Sequence, residues 1–189
     1  MAIYHLNKSS VQRSEGQSAV ASAAYISGSK LTYNIVDGDT NVELSRTFDY
    51  SNKLGLAFSQ ILAPDNAPSW VYNREELWSK AEAAEGRINA RPAYKFITAL
   101  PKELTLEQNI ELAQQFATKY LVSSGMVADV NIHYDNENNP RCNAMTTDDP
   151  LLVGFLLFAM NEQNKQHPML KEFIQLAKKH KSVKKSQST

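Results

Sequence analysis

Val127-Ala128-Asp129-Val130-Asn131-Ile132-His133-Tyr134 sets Val127, Asp129, Asn131 and His133 against Ala128, Val130 and Ile132. That period of two predicts a β-strand. The polar run Asp135 to Pro140 reads as a turn, and Arg141 to Thr146 reads as a strand returning antiparallel. Upstream, Thr105-Leu106-Glu107-Gln108 has the spacing of a capping box. The helix behind it carries Leu106, Ile110, Ala113, Phe116, Ala117, Tyr120 and Leu121 on one face and ends at Gly125. Tyr94 to Leu100 reads as a strand stopped by Pro101. Asn73-Arg74-Glu75-Glu76 caps a helix running to Gly86, and Phe58 to Ala63 reads as a strand.

Toward the start, Leu31 to Thr47 reads as an edge hairpin turning at Val36-Asp37-Gly38-Asp39. Ser14-Glu15-Gly16-Gln17 has capping-box spacing before an alanine-rich helix that carries Tyr25 and stops at Gly28. Ala2 to Leu6 reads as a first strand. Strands followed by helices around a mostly antiparallel sheet give an α+β fold class.

Composition narrows the function. The 189 residues carry 20 Lys and Arg against 20 Asp and Glu. A formal net charge of zero means that any nucleic acid must be met by a local basic patch. Arg13, Lys30, Arg87 and Arg91 are candidates for such a strip. Cys142 is the only cysteine, which excludes an intrachain disulfide and predicts a cytoplasmic location. No signal peptide is expected at the start. The apolar run Leu151 to Met160 is about half the length that crosses a bilayer, so no membrane span is expected. It is followed by Lys171 to Thr189, with six lysines against one glutamate.

Alone, His133 reads as a strand-end histidine and Tyr25 as a packing tyrosine with a wet hydroxyl. Their neighbours change that reading. Met1-Ala2-Ile3-Tyr4-His5-Leu6, then Arg13-Ser14-Glu15-Gly16-Gln17-Ser18-Ala19, then Ala23-Ala24-Tyr25, resemble the opening of the MobA/MobL family of relaxases. Phe48-Asp49-Tyr50-Ser51, Asn73 to Trp78, Glu85 to Asn89, Ala99 to Leu104, Asn131-Ile132-His133 and Glu137 to Pro140 continue the resemblance in order. It covers residues 1–147, taken as a relaxase-like nicking domain of HUH type. Residues 148–189 are taken as a divergent tail, consistent with a frameshift, deletion or fusion that leaves the domain incomplete at its C-terminal end.

The resemblance implies a tyrosine that attacks a phosphodiester of single-stranded DNA at a transfer origin, forming a 5′-phosphotyrosine link and leaving a 3′-hydroxyl. It implies three histidines on adjacent strands holding Mg²⁺ or Mn²⁺, which polarises the scissile phosphate. It also implies relaxosome accessory proteins as partners. Tyr25 matches the nucleophile and His133 the first histidine, and Arg13, Ser14, Gln17 and His5 fall where the resemblance places DNA contacts.

The other two histidine positions hold Arg141 and Asn143. Asn143 offers a weak carbonyl ligand, whereas Arg141 has no lone pair to give and brings a positive charge. At about 4 Å and an effective dielectric of about 20, that charge repels a divalent cation by several kcal/mol. Cys142, between them, prefers soft metals and is not expected to substitute. Relatives often carry Arg-Glu where this chain has Tyr94-Lys95. The expectation is a nicking domain by descent, catalytically impaired and not binding its metal. The alternatives are a non-catalytic DNA-binding remnant, a decayed fragment, and a metal-free transferase in which Arg141 contacts the phosphate.

Overall fold

The computed structural model describes residues 6–36, 43–84, 86–134, 140–147 and 175. Seven strands and three helices run in the order β1 (Leu6–Val11), α1 (Ala19–Ser27), β2 (Lys30–Val36), β3 (Glu43–Asp49), β4 (Leu56–Leu62), α2 (Arg74–Ala84), β5 (Ala93–Ala99), α3 (Leu106–Tyr120), β6 (Ala128–His133) and β7 (Arg141–Thr147). Five strands form one sheet in the order β1-β5-β7-β6-β4, every pairing antiparallel, while β2 and β3 form a separate ribbon. This is the expected α+β class. The expected hairpin is present as the ribbon. The expected first strand, Ala2 to Leu6, falls outside the described residues except for Leu6, which opens β1, and residues 148–174 fall outside them as well.

The two faces of the sheet are covered by different helices. Phe96, Ala128, Val130, Ile132, Cys142 and Ala144 pack with Leu112, Ala113 and Ala117 of α3. The capping box that begins α3 forms as the sequence predicts: Thr105 accepts from the Gln108 amide at 3.3 Å, and Gln108 accepts from the Thr105 amide at 3.0 Å. On the opposite face Val11, Ile61, Ala93 and Met145 pack with Val20, Ala23 and Ala24 of α1 and with Leu77 and Trp78 of α2.

The polar residues of β6 are buried rather than solvated, because β6 lies inside the sheet and α2 covers its polar face. Asp129, 0% exposed, receives Nε of Arg74 at 2.8 Å, a second Arg74 nitrogen at 2.9 Å, Nε1 of Trp78 at 3.0 Å and Nδ2 of Asn131 at 2.9 Å. Arg74 also donates to Ser59 Oγ at 2.7 Å, and Ser59 donates to Asn131 at 2.6 Å. Four donors to one carboxylate satisfy a charge that would otherwise be costly to bury.

The start of α1 departs from its sequence-based expectation. Ser14 does not cap it; residues Arg13–Glu15 form a tight 3-10 turn closed by Gly16 at φ 70°. Ser18 is the N-cap, accepting from the Ala21 amide at 3.3 Å. Gln17, the expected partner of Ser14, instead accepts from the Gln12 amide at 3.1 Å and donates to Glu15 at 2.8 Å. The left-handed Gly16 breaks the chain direction between Ser14 and the helix, so the box cannot close.

Candidate functional site

Tyr25 occupies the last turn of α1, whose C-cap is Gly28 at φ 58°. That turn leaves carbonyls without helical partners, and side chains from elsewhere take two of them. Nε2 of His133 lies 2.7 Å from the Ile26 carbonyl. A carbonyl only accepts, so Nε2 carries the proton. Nζ of Lys53 donates to the Tyr25 carbonyl at 2.9 Å and stands 3.8 Å from the centre of the Tyr25 ring. The Tyr25 and Tyr50 rings meet edge to face with centroids 5.3 Å apart. The Tyr25 side of this arrangement faces solvent, with Tyr25 54% and Tyr50 37% exposed.

At the other end of α1, the buried Glu82 carboxylate accepts from the Ala19 amide and, at 3.1 Å, from Ser18 Oγ. A negative charge is favoured there by the helix dipole and the free N–H groups. Arg13 completes the arrangement, donating to the Glu82 carbonyl at 2.6 Å and meeting its carboxylate at 3.3 Å. Beside Glu82, Tyr33 has its phenol held above the ordinary value, first by burial and then by the Glu82 charge.

Between α1, the ribbon and β5 of the large sheet lies an open cleft of about 420 Å³. Gln17, Ser22, Tyr25, Arg46, Tyr50 and Lys95 are among its walls. No carboxylate and no imidazole is found among its described lining residues.

The three positions expected to hold a metal are neighbours on the sheet. His133 pairs directly with Arg141 across β6 and β7, and Asn143, two residues on, pairs with Asn131. Residues two apart on a strand share a face, so His133, Arg141 and Asn143 lie on the face that α1 covers. The donor set does not fit a hard divalent cation, which takes several oxygen or imidazole donors. His133 is 3% exposed with Nε2 committed to Ile26, Arg141 is a cation, and Asn143 is a neutral amide. Among the described residues no group of three or more His, Cys, Asp or Glu side chains converges to hold a metal. Cys142 points to the other face beneath α3, where burial pushes its thiol up to about 12.

The expected DNA contacts separate. Gln17 lines the cleft, Ser14 is exposed in the 3-10 turn, and Arg13 is engaged with Glu82. His5 lies outside the described residues. Of the expected basic strip, Lys30 faces Asp49 at 3.7 Å, while Arg87 and Arg91 lie in the exposed segment after α2. Arg46, Tyr50 and Lys53 were not singled out from the sequence. Their only local signal is the Phe48 to Ser51 motif, which names Tyr50 without showing that it meets Tyr25.

The profile of the MobA/MobL family matches residues 17–185. The conjugal transfer protein TraA of Agrobacterium fabrum is 40% identical over 161 residues, covering 80% of this chain and 14% of that protein. The probable mobilization protein MobA of Bifidobacterium longum is 28% identical over 180 residues, covering 90% of this chain and 30% of that protein. The chain thus spans a minor part of the length of these relatives. A solved structure described as "Molecular Basis of Vancomycin Resistance Transfer in Staphylococcus aureus" superimposes with a TM-score of 0.73 at 31% identity, covering 97% of this chain and 94% of that one. Among the described residues no helix is long and apolar enough to cross a membrane.

Proposed function

The chain belongs to the MobA/MobL family of conjugative relaxases, and on that premise we propose that residues 1–147 form a nicking-type domain that holds single-stranded transfer-origin DNA beside Tyr25 but is impaired in cutting it. The observation that carries this reading is the register of His133 with Arg141. It sets a permanent cation beside the one retained histidine of the metal triad.

Tyr25 keeps what a nucleophile needs in position and access. Its ring is exposed at the cleft, bracketed by Tyr50 and Lys53. It lacks what a nucleophile needs in chemistry. A phenol near pH 7 must lose its proton to attack phosphorus, and that calls for a base to take it. The described cleft walls carry no base. The divalent ion used by the family would polarise the phosphate, but the residues at its three ligand positions do not fit it. Binding is the part of the family's activity that survives these losses, because phosphate contacts need only cations and hydrogen-bond donors. Relaxosome accessory proteins and a cytoplasmic location complete the reading.

The test is a labelled single-stranded oligonucleotide carrying the transfer origin of the adjoining mobile element. It is incubated with Mg²⁺, Mn²⁺ or EDTA and resolved for a covalent protein–DNA band. The expected result is no adduct in any buffer together with a gel shift of the same oligonucleotide. A metal-dependent adduct that disappears in Tyr25→Phe would overturn the claim of impairment, and absence of any shift would overturn the claim of binding.

A further inference from the structure

Two cations meet in the Tyr25 cleft from different sheets. Arg46 comes from β3 of the ribbon and Lys95 from β5 of the five-stranded sheet. Among the described residues neither side chain has an ion-pair or hydrogen-bond partner. The contrast with the other arginines is informative: Arg13 and Arg74 are each tied to a buried carboxylate. A protein with no net charge has placed two uncommitted cations in one concave space, and the described walls of that space carry no carboxylate. Their formal charges sum to that of one divalent ion.

The remaining walls suit the rest of a nucleotide. Tyr25 and Tyr50 present aromatic surface, and stacking on such surface holds bases regardless of sequence. Gln17 and Ser22 add polar side chains. A volume of about 420 Å³ lies within the range of small-molecule sites.

We propose that Arg46 and Lys95 bind a DNA phosphate directly in the Tyr25 cleft, so that this domain grips single-stranded DNA without a metal ion. The inference rests on the relaxase-family reading above and adds to it the groups that replace the missing cation. Lys95 stands where the family resemblance leads one to expect an acid, so its charge also marks the difference between this cleft and a metal-dependent one.

The test is fluorescence anisotropy of two labelled single-stranded 20-mers, one carrying the element's transfer origin and one of scrambled sequence, each in Mg²⁺ and in EDTA. The proteins are the full chain, Lys95→Glu, Arg46→Ala, the double variant, and Lys119→Ala as an exposed cation on α3, on the other face of the sheet. Circular dichroism melts establish that the variants fold. The expected result is affinity equal within about twofold in Mg²⁺ and EDTA, a loss of about tenfold or more in the double variant, and no change in Lys119→Ala. The double variant should also lower the steepness of the log affinity against log salt plot by about 0.7, the amount expected for one neutralised phosphate on a single strand. Binding lost in EDTA, or a folded double variant that binds like the parent, overturns the metal-free grip while leaving the relaxase-family reading in place. Lys95-dependent binding of both oligonucleotides with no preference for the origin supports the grip and overturns origin recognition. No binding of either oligonucleotide overturns both.

Discussion

His133 Nε2 reaches the carbonyl of Ile26 at 2.7 Å, which fastens the last turn of the Tyr25 helix to the end of β6. The residue that the family resemblance marks as a metal ligand is here a structural tie between two elements 107 residues apart. Removing it leaves a buried carbonyl without its donor, a loss of about 1–3 kcal/mol. His133→Ala should therefore lower the urea midpoint and speed amide exchange in residues 24–28. An unchanged midpoint would mean that the contact contributes nothing to stability.

The Arg74–Asp129 pair gives a sharper stability prediction. Arg74→Leu abandons a fully buried carboxylate and should cost about 3–5 kcal/mol. Removing both charges in Arg74→Leu/Asp129→Leu should restore part of that loss. Chemical denaturation of the two single variants and the double variant forms a cycle, and strict additivity would contradict direct coupling of the two groups.

Metal dependence should be absent from stability as well as from binding. A ligand that binds only the folded state raises its melting temperature, so 5–10-fold changes in Mg²⁺ or Mn²⁺ should leave the melt unmoved. Arg141→His/Asn143→His replaces a cation and an amide by two imidazoles beside His133. That variant should gain Mn²⁺ binding, read by electron paramagnetic resonance of the free ion. A parent chain that already depletes free Mn²⁺ would contradict the reading of the donor set.

Cys142 sets a dependence on alkaline pH. Its thiol is held up to about 12 in the folded protein by burial, against 9.0 as the ordinary value. Between those values the unfolded chain has lost the proton and the folded chain keeps it, so stability falls as pH rises, by at most about 1.4 kcal/mol per unit. Below about 9 the contribution is fully present. Cys142→Ala should remove this slope from a series of denaturation curves above pH 9. In the parent chain the thiol should resist a disulfide reagent until denaturant is added.

Much of the fold can be read from short-range patterns, because those patterns carry local physics. The Thr105 box, the glycine after α1 and the alternation of β6 each describe a few neighbouring residues and their hydrogen bonds, and each corresponds to an element with nearby bounds. Ser14 misleads because its spacing is right while the backbone at Gly16 turns the wrong way. The burial of Asp129 and Asn131 depends on α2 arriving from some 50 residues away, and nothing within β6 announces it. The same holds for the site. Tyr25, His133, Arg141, Asn143 and Lys95 stand out through family resemblance, whereas Lys95 and Arg46 become partners only when a ribbon and an interior strand of the large sheet close around one helix.

The helix bearing Tyr25 is a beam clamped at both supports. Glu82 grips its first turn and His133 its last, and each clamp is anchored in a different buried layer. Such a beam cannot swing toward a strand of DNA without breaking into the core. The opposite jaw is built differently, because Arg46 rides on a two-stranded ribbon outside the main sheet. In this cleft Tyr25 is the anvil, held from both ends of its helix.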